Sequence, residues 1–366
     1  MRRTIGVQQV EDIALGAAVL GTGGGGDPYI GRLMATQAIQ DCGPVELVTV
    51  DEMADDDWSV CIAMMGAPTV MVEKIPGGKE AEHAFRAVES YLGRPIRFLY
   101  SIEAGGINST IPITLAAQLR MPLLDLDGMG RAFPEVQMVT HSLFGITATP
   151  FTMADEKGNS AVLSTIDNRW METFARSIAV NMGATAHIAA YAASGKQQKE
   201  AAVLGTISLA ETIGREIRAA RSAHVDVVER ICAVTNGFIV FHGKIVDVQR
   251  RTVAGFARGE ALLEGIGEDT GQKMTIQFQN ENLIAQRDGE VVVSVPDLIT
   301  MVEDETGEPV TTEGLRYGYR VKVLGIPCHP HWRIPKGLEV VGPRYFGYNI
   351  DYVPVEQRVK SLSRSK

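Results

Sequence analysis

The apolar residues of this chain run in two different rhythms. In the first, Val10, Ile13, Ala14, Ala17 and Ala18 recur at helical spacing and predict a helix ending near Leu20. Ile30, Leu33, Met34, Gln37 and Ala38 repeat the pattern, with Asp27 as N-cap and Pro28 at the first helical position. Between such helices lie short apolar runs that read as strands: 45–50, 60–65, 96–102 and 121–126. Pro76-Gly77-Gly78 opens a helix to about Leu92, and a further helix starts at Ser109 or Thr110. Strands alternating with helices over short turns predict a largely parallel sheet covered on both faces. A hairpin follows at 151–164, then a helix capped by Asp167, an apolar run at 186–191, and helices at 206–221 and 225–235.

From Phe238 the rhythm changes to short strands with glycine-centred turns: 238–241, 245–249, 274–279, 283–286, 291–295, 319–323 and 338–341. His242-Gly243 and Asp288-Gly289 read as hairpin turns. This spacing predicts a β-barrel or sandwich. The expected organisation is an α/β domain over 1–200, connecting helices over 201–236 and a β-rich domain over 237–366.

One stretch follows neither rhythm. Leu20-Gly21-Thr22-Gly23-Gly24-Gly25-Gly26-Asp27-Pro28 holds four consecutive glycines, each unfavourable for backbone entropy. Such a run suits positive φ or a close approach to the backbone. Joined to a helix start, it offers N–H groups to an anion or a polarised carbonyl. No Lys-Ser or Lys-Thr follows, so it is not a Walker loop. Gly21-x-Gly23-x-x-Gly26 matches a dinucleotide fingerprint by letters, but that fingerprint follows a strand and here a helix precedes it. A tight helix-to-helix connection without ligand is the plainer alternative.

Composition narrows the partners. The net charge of −9 argues against nucleic acid, and no apolar run reaches membrane-span length. Glu11 and Asp12 interrupt what would be a signal peptide's apolar core. The four scattered cysteines form no CxxC pair, so reduced thiols in a cytoplasmic protein are expected. Cys328-His329-Pro330-His331 crowds potential metal ligands together, but ligands normally converge from spaced positions, so a packed loop is expected instead. His141 and His187 read as hydrogen-bonded core or rim residues, and Cys61 as structural.

Three loops rich in glycine and acid carry the candidate chemistry: Gly23–Asp27, Glu103–Asn108 and Asp125–Arg131. The last two lie where predicted strands end, the edge at which open α/β sheets bind ligands. The candidate catalytic residues are Asp127, Asp125 and Glu103. The candidate substrate-binding residues are Gly23, Gly24, Gly25, Gly26, Asp27, Gly105, Gly106, Asn108 and Arg131. Strand alternation puts Asp125 and Asp127 on one side, where two desolvated carboxylates push their pKa values apart. A pair of loop-capping acids tied to Arg131 is the structural alternative.

These motifs together resemble the S-methyl-thiohydantoin desulfurase family. The matching stretches are Gly21–Pro28, Glu103–Asn108, Asp125–Glu135, Glu281-Asn282-Leu283, Pro296–Ile299 and Gly342–Tyr348. The resemblance implies an α/β domain followed by a β-rich one, and a place in hydantoin-type metabolism. It implies a hydrolase acting on the carbon–sulfur bond of a small thiohydantoin-like ring. An accessory subunit of a hydantoinase-type system and a nucleotide-binding enzyme are the rival readings. No cofactor is demanded by the sequence; a divalent metal and a homo-oligomer stay open.

Overall fold

Two sheets organise the chain, and the glycine loop lies at the seam between them. The computed structural model describes residues 2–66, 70, 74, 76–253 and 256–364. The first sheet holds β1 (Arg2–Ile5), β2 (Val45–Val48), β3 (Trp58–Gly66), β4 (Phe98–Ser101), β5 (Leu123–Asp127), β6 (Phe151–Ala154), β7 (Ser160–Leu163), β8 (Thr185–Ser194) and β9 (Val203–Leu204). Its order is β1-β2-β5-β4-β3-β8-β6-β7, with β9 on β5. The centre, β2-β5-β4-β3, is parallel, with Leu47 and Leu99 both opposite Leu123. β3 is apolar along its length because helices and loops bury both its faces.

The helices form as their patterns dictate. Asp27 caps Pro28–Cys42 by accepting from the Tyr29 N–H at 2.8 Å, and Asp167 caps Asn168–Asn181 through Arg169 and Trp170. The helices Val7–Leu20 and Thr206–Ala223 pack closely because glycines sit at their crossing. A Cβ on Gly16 would lie 1.8 Å from the Ala210 oxygen, and one on Gly214 1.9 Å from the Asp12 oxygen. No helix among the described residues is long and apolar enough to cross a membrane.

The second sheet is antiparallel, in the order β14-β13-β12-β11-β10-β16-β15. Its strands are β10 (Phe238–Val253), β11 (Phe256–Gly265), β12 (Lys273–Gln279), β13 (Glu281–Arg287), β14 (Glu290–Ser294), β15 (Leu298–Glu303) and β16 (Arg320–Ile326). It curls into a half-barrel: the Asn282 amide of β13 donates to the Ile299 carbonyl of β15 at 2.9 Å, although the two strands lie near opposite ends of the order. Phe241, Ile245, Leu263, Met274, Ile276 and Met301 fill it.

Two local expectations fail, and two strands went unforeseen. His242-Gly243 is not a turn but the middle of β10, where Gly243 leaves room for the Phe241 ring, 2.6 Å from where a Cβ would stand. The run at 338–341 belongs to a short helix, Pro335–Val341, because Pro335 starts a helix there and its missing N–H costs nothing at that position. β11 and β15 carried no turn signal strong enough to be foreseen.

The two sheets meet through backbone hydrogen bonds to the glycine loop. Asn282 N–H donates to the Thr22 carbonyl and Thr312 N–H to the Gly23 carbonyl, both at 2.8 Å. The Thr300 hydroxyl donates to the Val19 carbonyl at 2.7 Å. The loop is thus clamped from the half-barrel side.

Candidate functional site

At the carboxyl ends of β3, β4 and β5 lies a pocket. Met64, Met65, Ile102, Met129 and Phe133 give it apolar walls, and Glu103, Asn108, Glu135, Arg176, Asn280 and Glu281 give it polar ones. Gly25 of the loop closes one side.

Glu103 follows β4 and is buried. The Asn108 amide donates to its Oε1 at 2.6 Å, and the Phe133 N–H to its Oε2 at 3.3 Å. Asn108 is itself fixed, accepting from the Met64 N–H at 2.8 Å, so β3, β4 and the next helix hold one carboxyl in one place. Desolvation pushes that carboxyl up to about 7, against the pull of Asn108, the Phe133 N–H and Arg131. A carboxyl poised near neutrality, facing a cavity, is suited to proton transfer.

Asp127 sits deeper, fully buried, and does not line the pocket. Its two oxygens accept from the Gly130 N–H at 2.9 and 2.8 Å, and the N–H groups of Met129 and Ala104 add to this. Burial pushes it up to about 8 against those donors. Asp125 turns elsewhere: it accepts from the Ser208 N–H at 3.0 Å and the Ser208 hydroxyl at 2.6 Å, tying β5 to the start of the helix Thr206–Ala223. The two acids therefore have separate partners, and neither reaches Arg131.

Arg131 is fully buried and bridges the sheets from behind the pocket. It donates to the carbonyls of Ala132, Pro296 and Asp297 and to the Thr22 hydroxyl, at 2.7–3.0 Å. Its guanidinium lies 4.3 Å from the Phe133 ring centre. Burial lowers it to about 10, against the pull of nearby acids that include Asp297 and Glu103, so it stays charged at neutral pH.

The glycines are explained by close approach. A Cβ on Gly24 would lie 2.1 Å from Glu281 Oε1, one on Gly25 2.6 Å from the Gly105 Cα, and one on Gly106 2.4 Å from the Gly26 oxygen. The Ile107 N–H donates to the Gly25 carbonyl at 2.9 Å, so the first two loops are joined. Gly23 turns its carbonyl to Thr312. Among the described residues, the N–H groups of Gly25 and Gly26 have no partner. Asp27 points away, exposed, into a separate surface groove with Tyr29 and Arg32. The glycine run follows the helix Val7–Leu20, so the strand of a dinucleotide fingerprint is absent before it.

The structure brings in residues that sequence reasoning did not single out: Glu281, Asn280, Glu135 and Arg176. Glu281 stood within a quoted motif, but nothing local revealed that β13 would begin against Gly24. Glu135 accepts from the Tyr345 hydroxyl at 2.7 Å, and Arg176 lies 4.2 Å from the Phe256 ring centre, so the rim draws on distant segments. The Cys328–His331 stretch is packed: Cys328 Sγ faces the Tyr352 hydroxyl at 3.8 Å, and His331 packs edge-on against His329 and Phe144. Among the described residues no group of three or more His, Cys, Asp or Glu side chains is placed to hold a metal ion.

Two family models cover the chain: the S-Me-THD-like N-terminal domain over residues 8–165, and the S-Me-THD-like C-terminal domain over 166–355. Their division falls before β8 and β9, which complete the first sheet. A crystal structure of a protein from Chromobacterium violaceum superposes with a TM-score of 0.82 at 25% identity, over 96% of this chain and 100% of that one. No curated protein matches the chain.

Proposed function

The chain belongs to the S-Me-THD-like family, and we propose that it hydrolyses the carbon–sulfur bond of a small S-methyl-thiohydantoin-like ring in the Glu103 pocket. The observation that carries this reading is Glu103 itself. It is a buried carboxyl held near neutrality, at the edge of the sheet where ligands bind, in a pocket with apolar walls.

The chemistry needs a base for water. Glu103 takes one proton as the water oxygen bonds to the ring carbon carrying sulfur, and returns it as the carbon–sulfur bond breaks. Sulfur leaves as methanethiol and the ring carbon becomes a carbonyl, giving the hydantoin. The free N–H groups of Gly25 and Gly26 are the donors proposed to face negative charge developing at the ring. Asn108 fixes Glu103. Asp127 keeps the Met129–Gly130 turn, and so the pocket wall, in shape. Gly23, Gly24, Gly105 and Gly106 serve by letting the loops approach.

The test is incubation of the purified protein with an S-methyl-thiohydantoin, following methanethiol with a thiol-reactive dye. Release that falls at least about a hundredfold in Glu103→Gln, with an unchanged melt, supports the reading. Failure to release thiol from a panel of thiohydantoins overturns it.

A further inference from the structure

The hydrolysis leaves one proton unaccounted for. Once Glu103 has served water and sulfur, the second water proton must pass from the new hydroxyl to the ring nitrogen. The pocket holds a second carboxyl of a different character. Glu281 opens β13, lines the pocket and is 3% exposed. Its Oε1 stands against Gly24, and among the described residues its buried Oε2 has no hydrogen-bond partner. A buried carboxylate with a bare oxygen is expensive, whereas a protonated carboxyl on a side chain lining a cavity, with hydrogen-bonding capacity unused, is an acid awaiting an acceptor.

We propose, resting on the desulfuration reading above, that Glu281 is the second acid–base group of this site. It gives its proton to the ring nitrogen double-bonded to the sulfur-bearing carbon while Glu103 takes a proton from water. In the first step the oxygen–carbon bond forms, the C=N double bond becomes single, and Glu281 is left ionised. In the second, Glu281 takes the hydroxyl proton as the carbonyl forms, and Glu103 gives its proton to the departing sulfur. Both carboxyls return to their starting states, and ring plus water has become hydantoin plus methanethiol.

The surrounding charges agree with this division. Desolvation raises Glu281 well above the ordinary carboxyl range and Glu103 and Glu313 raise it further, while Arg131 and the residue's own backbone N–H pull it down. Glu313 is itself raised by burial, with Arg250 opposing. Two carboxyls in one pocket with different surroundings, Glu103 held by hydrogen bonds and Glu281 with a bare oxygen, take the base and acid roles. The site is then complete only when both sheets are present, which accounts for the clamped loop between them.

The experiment uses the full chain with carbon-13-labelled glutamate carboxyls. A glutamate signal that stays at the protonated position well above the ordinary carboxyl range, and disappears in both Glu281→Gln and Glu281→Asp, is the expected result. Loss of no such signal overturns the proposal, whether or not a substrate has been found. Kinetically, Glu281→Gln is expected to lose about a hundredfold or more in kcat while binding the product hydantoin as the wild type does, and Glu281→Asp to recover part of the rate. A wild-type rate in Glu281→Gln overturns it. If the signal behaves as expected but no thiohydantoin is turned over, the substrate reading fails and the acid stands.

Discussion

Replacing Gly24 by alanine should separate activity from stability. The new Cβ would lie 2.1 Å from Glu281 Oε1 and 2.6 Å from its Cδ, contacts that real Cβ atoms do not make. The carboxyl must therefore move by about 1 Å, and overpacking of this kind costs about 1–3 kcal/mol. The displaced atoms end a flexible side chain, so the fold should survive. A misplacement of about 1 Å at a reacting group costs on the order of a hundredfold in rate. Gly25→Ala is the comparison. Its Cβ would meet the Gly105 backbone at 2.6 Å, and its φ of +72° adds about 1–3 kcal/mol of strain to the overpacking. An unfolding entropy of about 2.1 cal/mol/K per residue makes each kcal/mol worth about 1.3 °C in this chain. Gly24→Ala should then melt about 1–4 °C low, and Gly25→Ala about 3–8 °C low. Thermal melts and methanethiol release read the two effects. A Gly24→Ala protein with the wild-type rate, or one that melts below Gly25→Ala, would contradict this expectation.

Asp125→Ala removes the acceptor for Ser208 at a helix start, so it should cost about 1–2 kcal/mol in urea unfolding and leave turnover unchanged. A lost rate at full stability would instead put Asp125 in the chemistry. Asp127→Ala strands buried N–H groups at about 1–3 kcal/mol each, so stability and rate should fall together. Glu103 is near 7 in the fold, against 4.5 ordinarily, so between those values the unfolded chain has lost a proton that the folded one keeps. Stability from this group therefore falls as pH rises from about 4 to about 7, while His141, lowered by burial to about 4, works in the opposite sense. The melting temperature of Glu103→Gln relative to wild type should rise from pH 5 to about 7 and level off above it; a pH-independent difference would contradict the raised carboxyl.

The first sheet was legible because each of its central strands is a buried apolar run between helices with strong start signals. Pro28 after Asp27, and Asp167 before Asn168, announce their helices locally. The half-barrel was legible as a class but not strand by strand: a glycine such as Gly243 looks the same in sequence whether it turns the chain or admits a neighbouring ring. The same ambiguity limits the site. Glu103 was readable from its place after a strand and before a glycine pair. Asp125 and Asp127 have the same sequence context, and only the positions of Ser208 and Gly130 tell them apart. Glu281 was hidden because its surroundings, Gly24, Glu103 and Arg131, are all more than a hundred residues away in the chain.

In the proposed reaction, water attacks the ring carbon under the control of Glu103. Turnover of an S-methyl-thiohydantoin in oxygen-18-labelled water, followed by mass spectrometry, measures this. Wild-type protein should place one heavy oxygen in the hydantoin for each methanethiol released, and Glu103→Gln should place almost none in the same time. A hydantoin without the label, or label entering as fast in Glu103→Gln as in the wild type, would contradict the account.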